Sequence, residues 1–231
     1  MSEPFHILLL EDDANLGTII QESLERAGFA VCLRGDGEAG LEAYREQPFD
    51  LCLVDVMMPR KDGFTFAREI RQVDRSVPLI FLTARSLVED KIAGFELGCD
   101  DYVTKPFSLE ELVLRMQAVL RRSRPDRPGS DGPTEFELGV FHFDAQRQIL
   151  RREDQERHLT GKETELLQML CQHQNQTLPR SHALQTIWGD DSYYCGRSMD
   201  VFVSRLRKYL REDPAIEIRA VHGQGFRLIV K

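Results

Sequence analysis

No apolar run in the 231 residues approaches the roughly 18 that a membrane-crossing helix needs. Residues 1–6 place no basic stretch ahead of the first short apolar run, so no signal peptide is expected. The five cysteines (Cys32, Cys52, Cys99, Cys171 and Cys195) are odd in number and form no CxxC pair, which argues against a disulfide framework or a zinc ribbon. Cys52 lies inside an apolar run, where a reduced thiol acts as a small hydrophobe. Scattered thiols without a secretion signal point to the reducing cytoplasm. There is no basic excess either: the net charge is -8, so any surface for a polyanion must be local. Internal repeats are absent.

The charge is unevenly spread. Residues 1–122 carry 14 Lys/Arg against 22 Asp/Glu, whereas residues 135–231 carry 14 of each. Between them, 123–134 (SRPDRPGSDGPT) is the one long stretch of Pro, Gly, Ser and charge and reads as a linker. Two domains are therefore expected, 1–122 and 135–231.

In the first, short apolar runs at 7–10, 30–33, 51–55, 77–83 and 102–104 alternate with amphipathic segments near 14–27, 37–46, 63–74, 87–97 and 108–122. Ser86…Glu89 and Ser108…Glu111 are capping boxes, in which hydroxyl and carboxylate satisfy orphan backbone N–H groups. Strand–helix alternation at this spacing predicts an α/β doubly wound parallel sheet with helices on both faces. In the second, strand-like runs occur at 136–138, 140–144 and 148–150. A capping box at Thr160…Glu163 then opens a helix to about 172. Helices follow near 180–188 and 197–211, with a hairpin over 216–230: a smaller α+β domain.

Acidic and basic groups collect at the predicted strand ends: Glu11, Asp12 and Asp13 after the first strand, Asp55 at the third, Thr83 at the fourth, Lys105 after the fifth. The spacings, 43 residues from Asp12 to Asp55, 28 to Thr83 and 22 to Lys105, are about two, one and one strand–helix units. All then share the carboxyl edge of the sheet, where open α/β sheets bind ligands. Clustered carboxylates invite a hard cation, and Mg²⁺ suits one or two of them plus waters and a phosphate oxygen. An ionised Asp is a competent nucleophile towards phosphorus. Mg²⁺, Lys105 and Thr83 could neutralise the equatorial oxygens during phosphoryl transfer.

These residues lie in Ile7-Leu-Leu-Leu-Glu-Asp-Asp13, Asp55-x-Met-Met-Pro59 with Gly63, Leu82-Thr-Ala84 and Asp100-Asp-Tyr-Val-Thr-Lys-Pro-Phe107. In them the first 122 residues resemble a response-regulator receiver domain, with the flavodoxin-like strand order 2-1-3-4-5. The resemblance implies that Asp55 is the phosphorylation site, served by Thr83 and Lys105. It implies that Glu11, Asp12, Asp55 and the Met57 carbonyl hold Mg²⁺, and that Lys105–Pro106 is cis. Thr83 and Tyr102 would be the switch pair, moving together on phosphorylation. A symmetric dimer would use Lys91, Asp100, Asp101, Glu111, Arg115 and Arg122, since self-complementary charge suits a two-fold interface.

In the second domain, a helical wheel over 197–211 groups Met199, Phe202, Val203, Leu206, Tyr209 and Leu210 on one side. Arg197, Val201, Ser204, Arg205, Lys208 and Arg211 fall on the other, flanked by Asp200 and Arg207. Such a basic stripe suits a DNA major groove. Leu159-Thr-x-x-Glu163-x-x-Leu-Leu167, Arg197-Ser-Met-Asp-Val201, Ser204-Arg-Leu-Arg-Lys208 and Val221-His-Gly-Gln-Gly-Phe-Arg227 resemble the winged helix-turn-helix domain of the OmpR/PhoB family. The resemblance implies DNA contacts at Arg197, Val201, Ser204, Arg205, Arg207 and Lys208, with His222 in the wing. It also matches residues 189–196 to a loop that touches RNA polymerase in some members. The implied protein is a phosphoacceptor with no turnover activity. A membrane-bound sensor histidine kinase, a second copy of the chain and double-stranded DNA would be its partners.

Overall fold

The computed structural model describes residues 3–84, 94, 97–123, 133–189, 191 and 193–231, with backbone alone at 122, 123, 193 and 194. The chain divides into two compact units, Met1–Ser123 and Arg124–Lys231. Residues 124–132 of the expected linker lie outside the described residues, as do Ser86, Glu89 and, apart from Gly94 and Leu97, the helix expected over 87–97.

The first unit runs β1 (His6–Leu10), α1 (Ala14–Arg26), β2 (Ala30–Arg34), α2 (Gly37–Glu46), β3 (Leu51–Asp55), α3 (Gly63–Val73), β4 (Leu79–Thr83), β5 (Asp101–Thr104) and α4 (Leu109–Ser123). Its five strands are parallel in the order β2-β1-β3-β4-β5, as the receiver-domain resemblance implies. Every residue of β3 and β4 is buried, because helices cover both faces of the sheet. On one face Ile7, Leu9, Leu51, Leu53, Ile80 and Leu82 pack against Ile20 and Leu24 of α1 and Leu112 and Met116 of α4. On the other, α2 comes close through Gly40, where a Cβ would stand 2.7 Å from a Leu10 methyl.

Aspartates open three of the helices. Asp13 accepts from the Asn15 and Leu16 amides, Asp36 from Glu38 and Ala39, and Asp62 from Thr65. The acidic triplet after β1 is thereby divided: Asp13 caps α1, and Glu11 and Asp12 remain for other work. At Ser108 the Glu111 amide lies 3.5 Å from the hydroxyl, and the Glu111 carboxylate turns to Arg115. The last helix runs to Ser123, one residue into the expected linker.

Asp74, just after α3, accepts from the Tyr44 hydroxyl, the Ser76 amide and hydroxyl, and the Val77 amide. Burial pushes its carboxyl up, and these bonds more than reverse that, leaving it below its ordinary value. A depressed carboxylate stabilises the fold above its unfolded pKa and loses that contribution as pH falls through the folded one. Asp74→Asn is therefore expected to cost about 1 kcal/mol at neutral pH. In denaturant titrations over a pH series, the gap from wild type should close as pH falls through that depressed value.

The second unit holds a four-stranded antiparallel sheet, β6 (Glu135–Leu138), β7 (Phe141–Asp144), β8 (Ile149–Arg152) and β9 (Gln155–His158), in that order. Then come α5 (Gly161–Gln172), β10 (Thr177–Pro179), α6 (Arg180–Trp188), α7 (Tyr193–Leu210), β11 (Ile216–Val221) and β12 (Gly225–Val230). The last sheet has the order β10-β12-β11 and is antiparallel. The capping box at Thr160 is made in both directions. Two details differ from expectation. The polar β9 and the three-residue β10 carry no readable strand pattern. The third helix starts at Tyr193 rather than 197, so half of the expected loop 189–196 is helical. The hairpin turns at Gly223, whose φ of 68° is left-handed.

Candidate functional site

At the carboxyl edge of the parallel sheet, β1, β3 and the segment after β5 bring one ammonium to two carboxylates. The Lys105 Nζ lies 2.5 Å from Asp55 Oδ2 and 2.6 Å from Glu11 Oε2. The other oxygen of Asp55 accepts from the Met57 amide at 2.8 Å. Glu11 and Asp55 are buried and Asp12 is exposed, yet ligand oxygens of all three lie within 4.8 Å of one another. The Lys105–Pro106 bond is cis, as expected, and the Lys105 amide donates to the Thr83 carbonyl. Thr83 is wholly buried beside them. Gly63 closes the floor, since a Cβ there would stand 2.2 Å from the Asp55 carbonyl oxygen.

The charges strain one another. Burial pushes the Glu11 carboxyl up; Lys105 pulls it back, but the net position stays above the ordinary value. Burial draws the Lys105 ammonium down, and its bonds to Asp55 and Glu11 more than reverse this. Three carboxylates facing one ammonium leave an unbalanced negative site made of hard oxygen donors. That is a fit for a divalent cation with phosphate as co-ligand.

Tyr102 is half-buried in β5 with its ring 6.1 Å from that of Phe81. Of the residues matched to a dimer face, Arg115 bridges Asp101 at 3.0 Å and Glu111 at 2.8 Å within the same chain. Asp100 is 5% exposed, and its carboxylate accepts the Leu79 amide at the start of β4. Lys91 and the Arg122 side chain lie outside the described residues.

In the second unit α7 buries Met199, Phe202, Val203, Leu206 and Leu210, as the wheel expects. Arg197, Ser204, Arg207 and Lys208 are exposed, and Val201 is half-buried. Arg205 differs from its neighbours: its guanidinium turns back 3.2 Å from the buried Glu163 of the capping box. The Tyr209 hydroxyl donates to the same oxygen at 3.0 Å. Arg207 donates to the Ile218 carbonyl of β11 at 2.7 Å, which ties α7 to the hairpin. His222 is exposed in the turn of that hairpin. Sequence reasoning missed Arg180, whose ion pair with Asp200 spans 20 residues and leaves no periodic signal.

Residues 7–117 match the family described as response regulator receiver domain, and residues 154–228 match transcriptional regulatory protein, C terminal. The chain belongs to the OmpR/PhoB-type response regulators, DNA-binding transcription factors of two-component signalling. It is 50% identical over 229 residues to the transcriptional regulatory protein RprY of Bacteroides fragilis, covering 99% of this chain and 96% of that one. Against the sensory transduction protein RegX3 of Mycolicibacterium smegmatis the identity is 35%, covering 96% and 98%. The crystal structure of response regulator DrrB, an OmpR/PhoB homologue of Thermotoga maritima, covers 98% of this chain and 99% of its own. It does so at 29% identity and a TM-score of 0.51. No described helix is long and apolar enough to cross a membrane.

Proposed function

We propose that Asp55 accepts a phosphoryl group from a sensor histidine kinase, and that this modification controls dimerisation and DNA binding by the winged unit. The observation that supports it most is the convergence of Glu11, Asp12 and Asp55 on one point with Lys105 beside them. One carboxylate oxygen of Asp55 attacks phosphorus, a P–N bond of the donor histidine breaks, and the electron pair leaves with the imidazole. The Met57 amide holds the opposite oxygen of Asp55 and so orients the nucleophile. Lys105, already paired to Asp55, follows the charge onto the phosphoryl oxygens. Glu11, Asp12, Asp55 and the Met57 carbonyl would hold Mg²⁺, which when bound neutralises the equatorial oxygens. Thr83 supplies a hydroxyl to the new group, and Tyr102 repacks against Phe81 as the outward signal.

Asp100, Asp101, Glu111 and Arg115, with Lys91 and Arg122, form the dimer face in this reading. The internal Arg115 bridges would exchange for identical ones across a two-fold axis. Arg197, Val201, Ser204 and Lys208 face DNA, with Arg207 and His222 towards the wing. Arg205 acts mainly as a strut to Glu163. Residues 123–134 link the two units, RNA polymerase is a further partner, and the protein works in the cytoplasm.

Incubation with acetyl phosphate and Mg²⁺ should add the mass of one phosphoryl group, located by peptide mapping on Asp55. Chelation of the metal should suppress the adduct at least about 100-fold. An adduct that forms equally well in chelator, or on another residue, contradicts the site.

A further inference from the structure

Arg180 opens α6 beside two other parts of the winged unit. Its amide donates to the Gln224 carbonyl in the hairpin turn at 2.9 Å. Its guanidinium donates to Asp200 Oδ1 at 2.7 Å and to the Gly196 carbonyl at 2.5 Å, both on α7. The same guanidinium lies 5.7 Å from the ring centre of Phe226 in β12. The approach is tight at Gly196 and too close for any side chain at Gly225. A Cβ at Gly196 would stand 3.2 Å from Arg180 Nη2, and one at Gly225 would stand 2.0 Å from the Leu178 carbonyl oxygen and 2.8 Å from the Arg180 amide. Clefts of about 530 and 460 Å³ flank Arg180, and both are also lined by Asp200 and Gln224.

Asp200 is the informative partner. Its side chain is 44% exposed and immediately precedes Val201 on the helix whose outward stripe is otherwise basic. An acid there repels a polyanion and would weaken DNA binding on charge alone. An ion pair this exposed also adds little to stability. What the pair does supply is geometry: a planar fork held at two points on α7 by a residue whose own amide grips the wing.

We propose that Arg180 is a positioning residue, locked by Asp200, that sets the wing against the DNA-reading helix. The inference rests on α7 being that helix and adds what fixes the wing's angle to it. A helix and a wing must enter successive grooves together, so an error in their mutual angle is felt as lost affinity.

The test uses the full chain, with acetyl phosphate and Mg²⁺ throughout, and a duplex enriched from a random pool by the wild type. Affinity is measured over a series of salt concentrations. Asp200→Asn and Arg180→Gln are each expected to weaken binding about tenfold, with the double variant no worse than either single one. The salt slope should stay at the wild-type value, whereas Lys208→Ala should lower it by about one. Tighter or unchanged binding by Asp200→Asn overturns the proposal, as do additive losses. A fall of about one in the slope for Arg180→Gln also overturns it, because Arg180 would then be a phosphate contact. If Arg180→Gln does not fold, Asp200→Asn alone decides by the sign of its effect. If the wild type enriches no duplex, the DNA-reading assignment of α7 fails. Hydrogen exchange at residues 223–225 then decides the tie: faster exchange in Asp200→Asn supports it and unchanged exchange overturns it.

Discussion

Asp55→Asn is expected to abolish phosphoryl labelling by acetyl phosphate and Mg²⁺, while the fold stays intact. The amide keeps the shape of the carboxylate and its bond from the Met57 amide, but it is not a nucleophile towards phosphorus. It also removes one of three carboxylates from the cation site and one of the two partners of Lys105. Loss of the nucleophile alone leaves no route to the aspartyl adduct, so labelling should fall by at least about 1,000-fold. Intact-protein mass read beside a thermal melt checks both halves. A variant labelled as well as wild type would remove Asp55 from the mechanism.

Glu163→Ala should produce the largest loss of stability in the second unit. Glu163 is 2% exposed and returns the capping bond to the Thr160 amide. It also receives Arg205 and the Tyr209 hydroxyl from α7. Burial, with the Glu163 carboxylate beside it, pushes the Tyr209 phenol up to about 12. Truncation removes the carboxylate half of the capping box, takes a buried anionic partner from the Arg205 guanidinium and takes the acceptor from the Tyr209 hydroxyl. Together these should cost about 2–4 kcal/mol. For a unit of this size that is a fall of roughly 10 °C or more in its melting transition. Hydrogen exchange should show the loss in α5 and α7, with β1 to β4 unaffected. Retention of wild-type protection in α5 would show that the network contributes little.

The parallel sheet was legible because burial on both faces forces continuous apolar runs, as in β3 and β4, and because amphipathic segments alternate with those runs at a regular spacing. β9 (QERH) and β10 (TLP) were not, since an edge strand with polar residues and a strand of three residues have no period to read. The start of α7 was hidden by Gly196, which reads as a turn but serves the close approach of Arg180. The acidic site was legible as a set of strand ends at regular spacing. The division of labour within it was not: nothing in Glu11-Asp12-Asp13 says that the third residue caps α1. The same holds for Asp100-Asp101, where one carboxylate is buried on the Leu79 amide and its neighbour meets Arg115. Arg205 shows the limit of a helical wheel. A wheel gives the direction of Cβ, and a long side chain can carry its charge back to a buried partner.

The central claim is that the state of Asp55 governs DNA binding by a separate unit. The most direct measurement is the affinity of the full chain for an enriched duplex, with its oligomeric state, before and after treatment with acetyl phosphate and Mg²⁺, in wild type and in Asp55→Asn. The expected result is a wild type that dimerises and binds at least about tenfold more tightly on treatment, and a variant that does neither. Equal affinity in all four conditions would contradict a phosphorylation switch and leave the first unit without control over the second.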